Sequence, residues 1–175
     1  YDETGEGGAA RLWWLLRHLG HDDVAVLDGG LRAWREEGGP LEARPHVPEG
    51  GDFSARPREG DVVTAEQLRG GSHSLLDARA SERFRGDVEP IDAVAGHIPG
   101  ASNVPFAGLV PGGRFPPPLE LRERLGDEPF VAYCGSGVTA CILVLAAELA
   151  GVEARLYPGS WSEWSRRGLP VETGP

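Results

Sequence analysis

The stretch at 130–151, FVAYCGSGVTACILVLAAELAG, carries two periodicities separated by a glycine-rich loop. Its opening FVAY is short and wholly apolar, as a strand covered on both faces of a sheet is. Its closing part sets Ile142, Leu145, Ala146 and Leu149 at the i, i+3, i+4, i+7 spacing of an amphipathic helix. The pattern predicts a strand over 130–133 and a helix over 138–150, with Cys134 at the turn between them.

Working outward, the same alternation recurs. A strand is expected at 154–157 and a helix at 160–167. Upstream, TAEQ from Thr64 has the form of a capping box opening a helix over 64–69. A strand at 74–77, a short helix at 80–84, a loop through Pro105 and a helix at 119–125 follow. Short apolar strands alternating with helices predict an α/β fold: a parallel sheet with helices on both faces. Sites in such sheets form at the carboxyl ends of strands, where Cys134 and Asp77 both fall.

Composition narrows the function. The 175 residues are 40% hydrophobic and 25% charged, with five Trp, a globular balance. The 26 Gly and 15 Pro cluster between apolar runs, where they read as turns. A net charge of -10 argues against nucleic acid, which needs a positive surface. The longest apolar run is too short for a membrane span. Cys134 and Cys141 give no disulfide framework, no C-x-x-C pair and no zinc set, so no metal is expected. On the strand-loop-helix that the pattern suggests, Cys141 would lie roughly two turns, about 10 Å, along the helix, too far for a disulfide. A reducing, cytoplasmic setting fits. The chain starts at Tyr1 and has no Met, so an upstream segment, with any targeting signal, is expected to have been lost.

A repeat runs through the chain at an offset of about 130 residues. Leu12, Leu15, Leu16 and Leu19 answer Ile142, Leu145, Ala146 and Leu149. Gly29, Trp34, Gly38 and Pro40 answer Gly159, Trp164, Gly168 and Pro170. Two copies of one domain are therefore expected: the last part of a first copy at 1–44, a polar, Pro-rich linker at 45–63 and a second copy at 64–175. Asp2 aligns with Cys134 if the loop to Arg11 is two residues longer, which implies that about 70 residues of the first copy are missing. An incomplete sheet would expose an edge, leaving room for a homodimer.

The CGSGVT loop reads as a chemical device. Gly135 and Gly137 permit backbone conformations that turn successive N–H groups toward one point, an anion cradle. The following helix N-terminus adds partial positive charge, which favours a thiolate. Free cysteine is otherwise a small buried hydrophobe, but a plain core position has no need of Gly-Ser-Gly beside it. A cysteine-based phosphatase would need an Arg at the end of the loop to grip phosphate, and none is there. A papain-like protease would need a partner His and another scaffold. A small, uncharged loop suits a second sulfur carried on the cysteine as a persulfide.

CGSGVTAC followed by RLYPGSWSEW, with DARASERFRG (77–86) and GHIPGASNVPF (96–106), resembles the tandem rhodanese sulfurtransferases. RLWWLLRHLGHDDVAVLDGGLRAW extends the resemblance into the first copy. The resemblance implies that Cys134 takes sulfur from thiosulfate or 3-mercaptopyruvate and passes it to cyanide or a thiol, with no cofactor. It implies that the first copy has lost its cysteine, here to Asp2. The Gly-Ser-Gly loop looks like the mercaptopyruvate type, and nothing cationic at Gly135 or Ser136 would neutralise a dianion. Ser136 would then relay a proton, or else only cap the loop. The backbone N–H groups of Gly135, Gly137, Val138 and Thr139 would hold developing charge. Arg83 matches the position that binds the donor's anionic group, although Arg85 stands close by. Ile91 occupies a position where mercaptopyruvate enzymes often have a further Arg. Asp77 and Arg79 are expected to organise the strand end, His97 to shape a loop, and Cys141 and Trp164 to pack in the core. The competing reading is a noncatalytic sulfur-carrier or binding module, with a phosphatase a remote third.

Overall fold

The computed structural model describes residues 1–3, 7–44 and 49–175. Part of the first-copy loop (4–6) and of the expected linker (45–48) lies outside the described residues. Four strands, β1 (Leu75–Asp77), β2 (Ser102–Asn103), β3 (Phe130–Tyr133) and β4 (Ala154–Leu156), form one sheet in the order β2-β1-β3-β4, with every pair parallel. Eight α-helices are described: α1 (Gly8–His18), α2 (Gly30–Glu36), α3 (Ala65–Gly70), α4 (Ser81–Arg85), α5 (Phe106–Leu109), α6 (Pro118–Leu125), α7 (Ala140–Ala150) and α8 (Ser160–Arg166). Among the described residues, no helix is long and apolar enough to cross a membrane.

Successive strand residues point to opposite faces, and this splits the core in two. Leu76, Phe130, Ala132 and Leu156 pack with α6, α7 and α1. Leu75, Val131 and Tyr133 pack with Leu68 of α3 and with Trp161 and Trp164 of α8. The sheet is thus covered on both faces, as the uninterrupted apolar strands predict. Cys134 continues the alternation onto the α7 side.

Helix α7 departs from the amphipathic expectation. All of it is buried except Glu148 and Leu149. The face that would meet water is covered by α1, whose Ala10, Trp13 and Trp14 join the same core as Ile142 and Leu145. A helix apolar all round is a central helix, and α7 is one. It also starts two residues later than the periodicity predicts. Cys141 N donates to Val138 O (3.1 Å) and Ile142 N to Thr139 O (3.0 Å), so residues 138 and 139 form a tightened i, i+3 entry turn.

Elsewhere the differences are small. Thr64 and Gln67 form the reciprocal capping box that TAEQ predicts. The expected loop through Pro105 contains β2, a two-residue strand, and α5 follows it. Residues 24–27, which align with β4, form no strand. The end of the expected linker is drawn into the sheet, where Val62 bridges Leu156.

Several bonds recur at the repeat offset. Trp34 Nε1 donates to Pro40 O (3.0 Å) and Trp164 Nε1 to Pro170 O (2.7 Å). Leu31 N donates to Asp2 O and Trp161 N to Cys134 O, both at 2.9 Å. Gly30 and Ser160, at matching positions, share a positive φ of 63° and 52°.

Candidate active site

From β1 the chain moves out to β2, then crosses back to β3 on the other side of β1. The switch point of the sheet therefore lies between β1 and β3, the place at the carboxyl ends of parallel strands where sites commonly form. Asp77 ends β1 and Cys134 follows β3. Their strands are stitched there by Ala78 N donating to Tyr133 O at 2.9 Å.

The cysteine loop is fixed from one side by α8. Trp161 N and Ser162 N donate to the carbonyls of Cys134 (2.9 Å) and Gly135 (3.0 Å). Cys134 N donates to Ser160 Oγ at 3.1 Å, and that hydroxyl donates to Tyr157 O at 3.0 Å. Ser160 is fully buried in a left-handed conformation that costs an L-residue about 1–2 kcal/mol; these two bonds offset it. On the other side, Gly137 N donates to Cys134 Sγ at 3.1 Å. Gly137 has φ 77°, and a Cβ there would lie 2.6 Å from Pro158 O, so only glycine fits. The amides of Gly135, Ser136, Val138 and Thr139 have no acceptor among the described residues.

Above the loop stands Arg83. Its Nη1 comes within 3.5 Å of where a Gly135 Cβ would be. Glu89 holds the guanidinium through Nη2 (2.6 Å) and Nε (3.3 Å), and Asp92 lies 3.8 Å from Nη2. Burial pushes the Glu89 carboxyl up, but Arg83 and the amides of Asp92 and Ile91 outweigh it and hold it below the usual carboxylate range. Beneath, Arg79 pairs with Asp77 through Nε and Nη2, reaches Glu89 (3.3 Å) and Gly96 O (2.7 Å), and lies 4.8 Å over the Trp161 ring. Desolvation would lower the Arg79 pKa, yet its bond to Asp77 raises it further, so the cation stays charged while buried.

A model of the rhodanese-like domain matches residues 1–37 and 62–167. The chain belongs to the rhodanese family. Among relatives of this rhodanese, a Pseudomonas aeruginosa protein named "Probable 3-mercaptopyruvate sulfurtransferase" is 48% identical over 99% of this chain and 66% of its own length. The thiosulfate sulfurtransferase of Rattus norvegicus is 41% identical over 97% of this chain and 62% of its own. The crystal structure of SseA from Escherichia coli, a 3-mercaptopyruvate sulfotransferase in its description, superposes with a TM-score of 0.79 at 36% identity, covering 93% of this chain and 66% of that one. The chain thus spans a little under two thirds of the length of these relatives.

Within this rhodanese, Cys134, Gly135, Gly137 and Arg83 come together at one point. Val138 and Thr139 follow as the entry turn of α7, and Ser136 is exposed at the loop tip. Arg85 stands apart, paired with Asp87 at the surface. His97 is buried, stacked 3.7 Å from Phe84, with Nδ1 bonded to Phe84 O at 2.7 Å. That is the loop-shaping role expected of it. Trp161 and Trp164 are core. Cys141 is buried too, and burial pushes its thiol up to about 11.

The sequence reading does not reach Glu89, Asp92, Ser160, Ser162 or Arg11. Ser162 Oγ donates to Asp92 Oδ2 at 3.0 Å, tying the loop after α4 to α8. One of these carried a signal. Ser160 lies 130 residues after Gly30, at the offset of the sequence repeat, and the glycine there marks a backbone conformation that the serine shares.

Proposed function

We propose that this chain is the catalytic part of a sulfurtransferase that works through a persulfide on Cys134. The observation that carries the reading is the Gly137 N–H set 3.1 Å from a buried Sγ, in a loop with four further amides that have no acceptor among the described residues and with Arg83 beside it. With thiosulfate, the Cys134 thiolate attacks the outer sulfur, the S–S bond breaks and sulfite leaves with the electron pair. With 3-mercaptopyruvate, the thiolate attacks the thiol sulfur and the C–S bond breaks. The enolate of pyruvate leaves and takes up the proton lost from the new persulfide. A thiol or cyanide then removes the terminal sulfur and restores the thiolate. The loop amides stabilise negative charge, Arg83 holds the donor's anionic group and Ser136 relays the proton. The names of the relatives support both donors. Arg83, already shared with Glu89 and Asp92, favours the less charged one, 3-mercaptopyruvate.

The reading takes residues 1–44 as the last part of a noncatalytic copy, 45–63 as linker and 64–175 as the copy that bears the chemistry. The recurring Trp–carbonyl bonds and the Asp2–Leu31 and Cys134–Trp161 pairs support it. Two free thiols suit a reducing, cytoplasmic compartment.

The test is intact-protein mass spectrometry after incubation with each donor, on wild type and Cys134→Ser. A gain of one sulfur atom on wild type alone is expected, faster with 3-mercaptopyruvate. No gain with either donor overturns the enzyme reading. Uptake only from a persulfidated partner protein would assign a carrier instead.

A further inference from the structure

Residue Gly137 makes two contacts in opposite directions. Its N–H faces Cys134 Sγ, while its carbonyl faces α1 and accepts from two donors: Arg11 Nη1 at 3.3 Å and the Cys141 thiol at 3.3 Å. The same Arg11 nitrogen lies 3.7 Å from Cys141 Sγ, and the guanidinium sits 5.0 Å over the Trp14 ring. Burial keeps the Cys141 thiol protonated, so it remains a donor to the carbonyl and an acceptor for Arg11. Among the described residues no carboxylate forms a salt bridge with Arg11, whose charge is turned to the Gly137 carbonyl and the Trp14 ring.

A cation on a carbonyl oxygen polarises the whole peptide unit. The unit that begins with the Gly137 carbonyl ends with the Val138 N–H, one of the cysteine-loop amides without an acceptor among the described residues. We propose that Arg11 is a positioning residue for the cysteine loop. From outside the site, it holds the Gly137 carbonyl, which fixes the residue whose N–H meets the sulfur, and it strengthens the Val138 amide as a donor to negative charge at Cys134. The consequence for turnover rests on the sulfurtransferase reading above; the consequence for the sulfur's reactivity does not.

Both are measured on the full chain. Alkylation of Cys134 by iodoacetamide, a neutral reagent, is followed at one pH by peptide mass, and persulfide loading is followed over a range of donor concentrations. Arg11→Met keeps an apolar stem over Trp14 and removes the charge and the donors. Arg11→Lys keeps the charge. Arg11→Met should slow alkylation about tenfold and lower the loading rate at saturating donor by a similar factor, with the donor's half-saturation concentration little changed. Arg11→Lys should recover most of both. Arg11→Gln replaces the Met variant if that does not fold, as judged by its melting midpoint. Alkylation at the wild-type rate in a folded Arg11→Met overturns the proposal. So does equal slowing by Met and Lys, which would assign the effect to the shape of the Trp14 stack. If wild type alkylates readily but takes sulfur from neither donor, the sulfurtransferase reading fails, and the alkylation comparison still decides the role of Arg11.

Discussion

Gly137 has little freedom to be anything else, because its φ of 77° and the Pro158 carbonyl 2.6 Å from a would-be Cβ act together. Gly137→Ala should destabilise the chain by at least about 2 kcal/mol, from the left-handed backbone and the clash, and move the amide off Cys134 Sγ. A denaturant midpoint and the sulfur-loading rate both report it. Arg83 can be probed by freeing it. Asp92→Asn removes a carboxylate 3.8 Å from Nη2 and should lower the half-saturation concentration for an anionic donor by about threefold, leaving the saturated rate alone. A steady-state titration checks this. Cys134 and its glycines could be proposed from the sequence because their loop is written in adjacent residues, whereas Arg83, 51 residues upstream, was reached only through the family resemblance. Glu89 was not reached, and Ser160 was marked only by the glycine at the matching offset, Gly30. Each acts on a partner brought close only by the fold: Ser160 bonds the amide of Cys134 across the β3–β4 crossover, and Glu89 meets Arg79 and Arg83 from the loop after α4.

At the scale of elements, α7 is the rod against which the loop is set. Leu143 is fully buried at its centre, and Leu143→Ala should cost about 2–5 kcal/mol by leaving a cavity, measured by urea unfolding. The α4 region responds to acid. The native Glu89 carboxyl titrates below its unfolded value, so its stabilisation is complete above the ordinary carboxylate range and is lost as pH falls through the lowered native value. Glu89→Gln should lower stability near neutral pH and flatten its fall on the acid side; unfolding midpoints measured across pH test this. Periodicity found β3 and α7 most readily because the one is uniformly apolar and the other long. It passed over β2 because two residues have no period; only their pairing with Leu76 and Asp77 makes them a strand. It read α7 as half-exposed because it followed only the i, i+3, i+4, i+7 set, although Glu148 is the one charged residue of the helix; which element covers the other face is not written locally.

For the whole molecule, α1 and α7 share one core, with Trp13 among its buried residues. Trp13→Ala should cost about 3–5 kcal/mol, and it should lower the single unfolding transition seen by tryptophan fluorescence and by circular dichroism alike. Two probes that separate would mean that the α1 region unfolds on its own. The α/β class and the layering on both faces were legible as a run of alternating elements, and the repeat marked which helices correspond. That α1 and α7 pack on each other was not written in either segment. The same contact bears on how the chain can be cut. A piece starting at Val62 would contain every residue proposed to touch the donor, yet it would present Ile142 and Leu145 to water and lose the guanidinium beneath Gly137. The reactive cysteine is therefore not a portable cassette: to move it into another protein, the α1 segment has to travel with it.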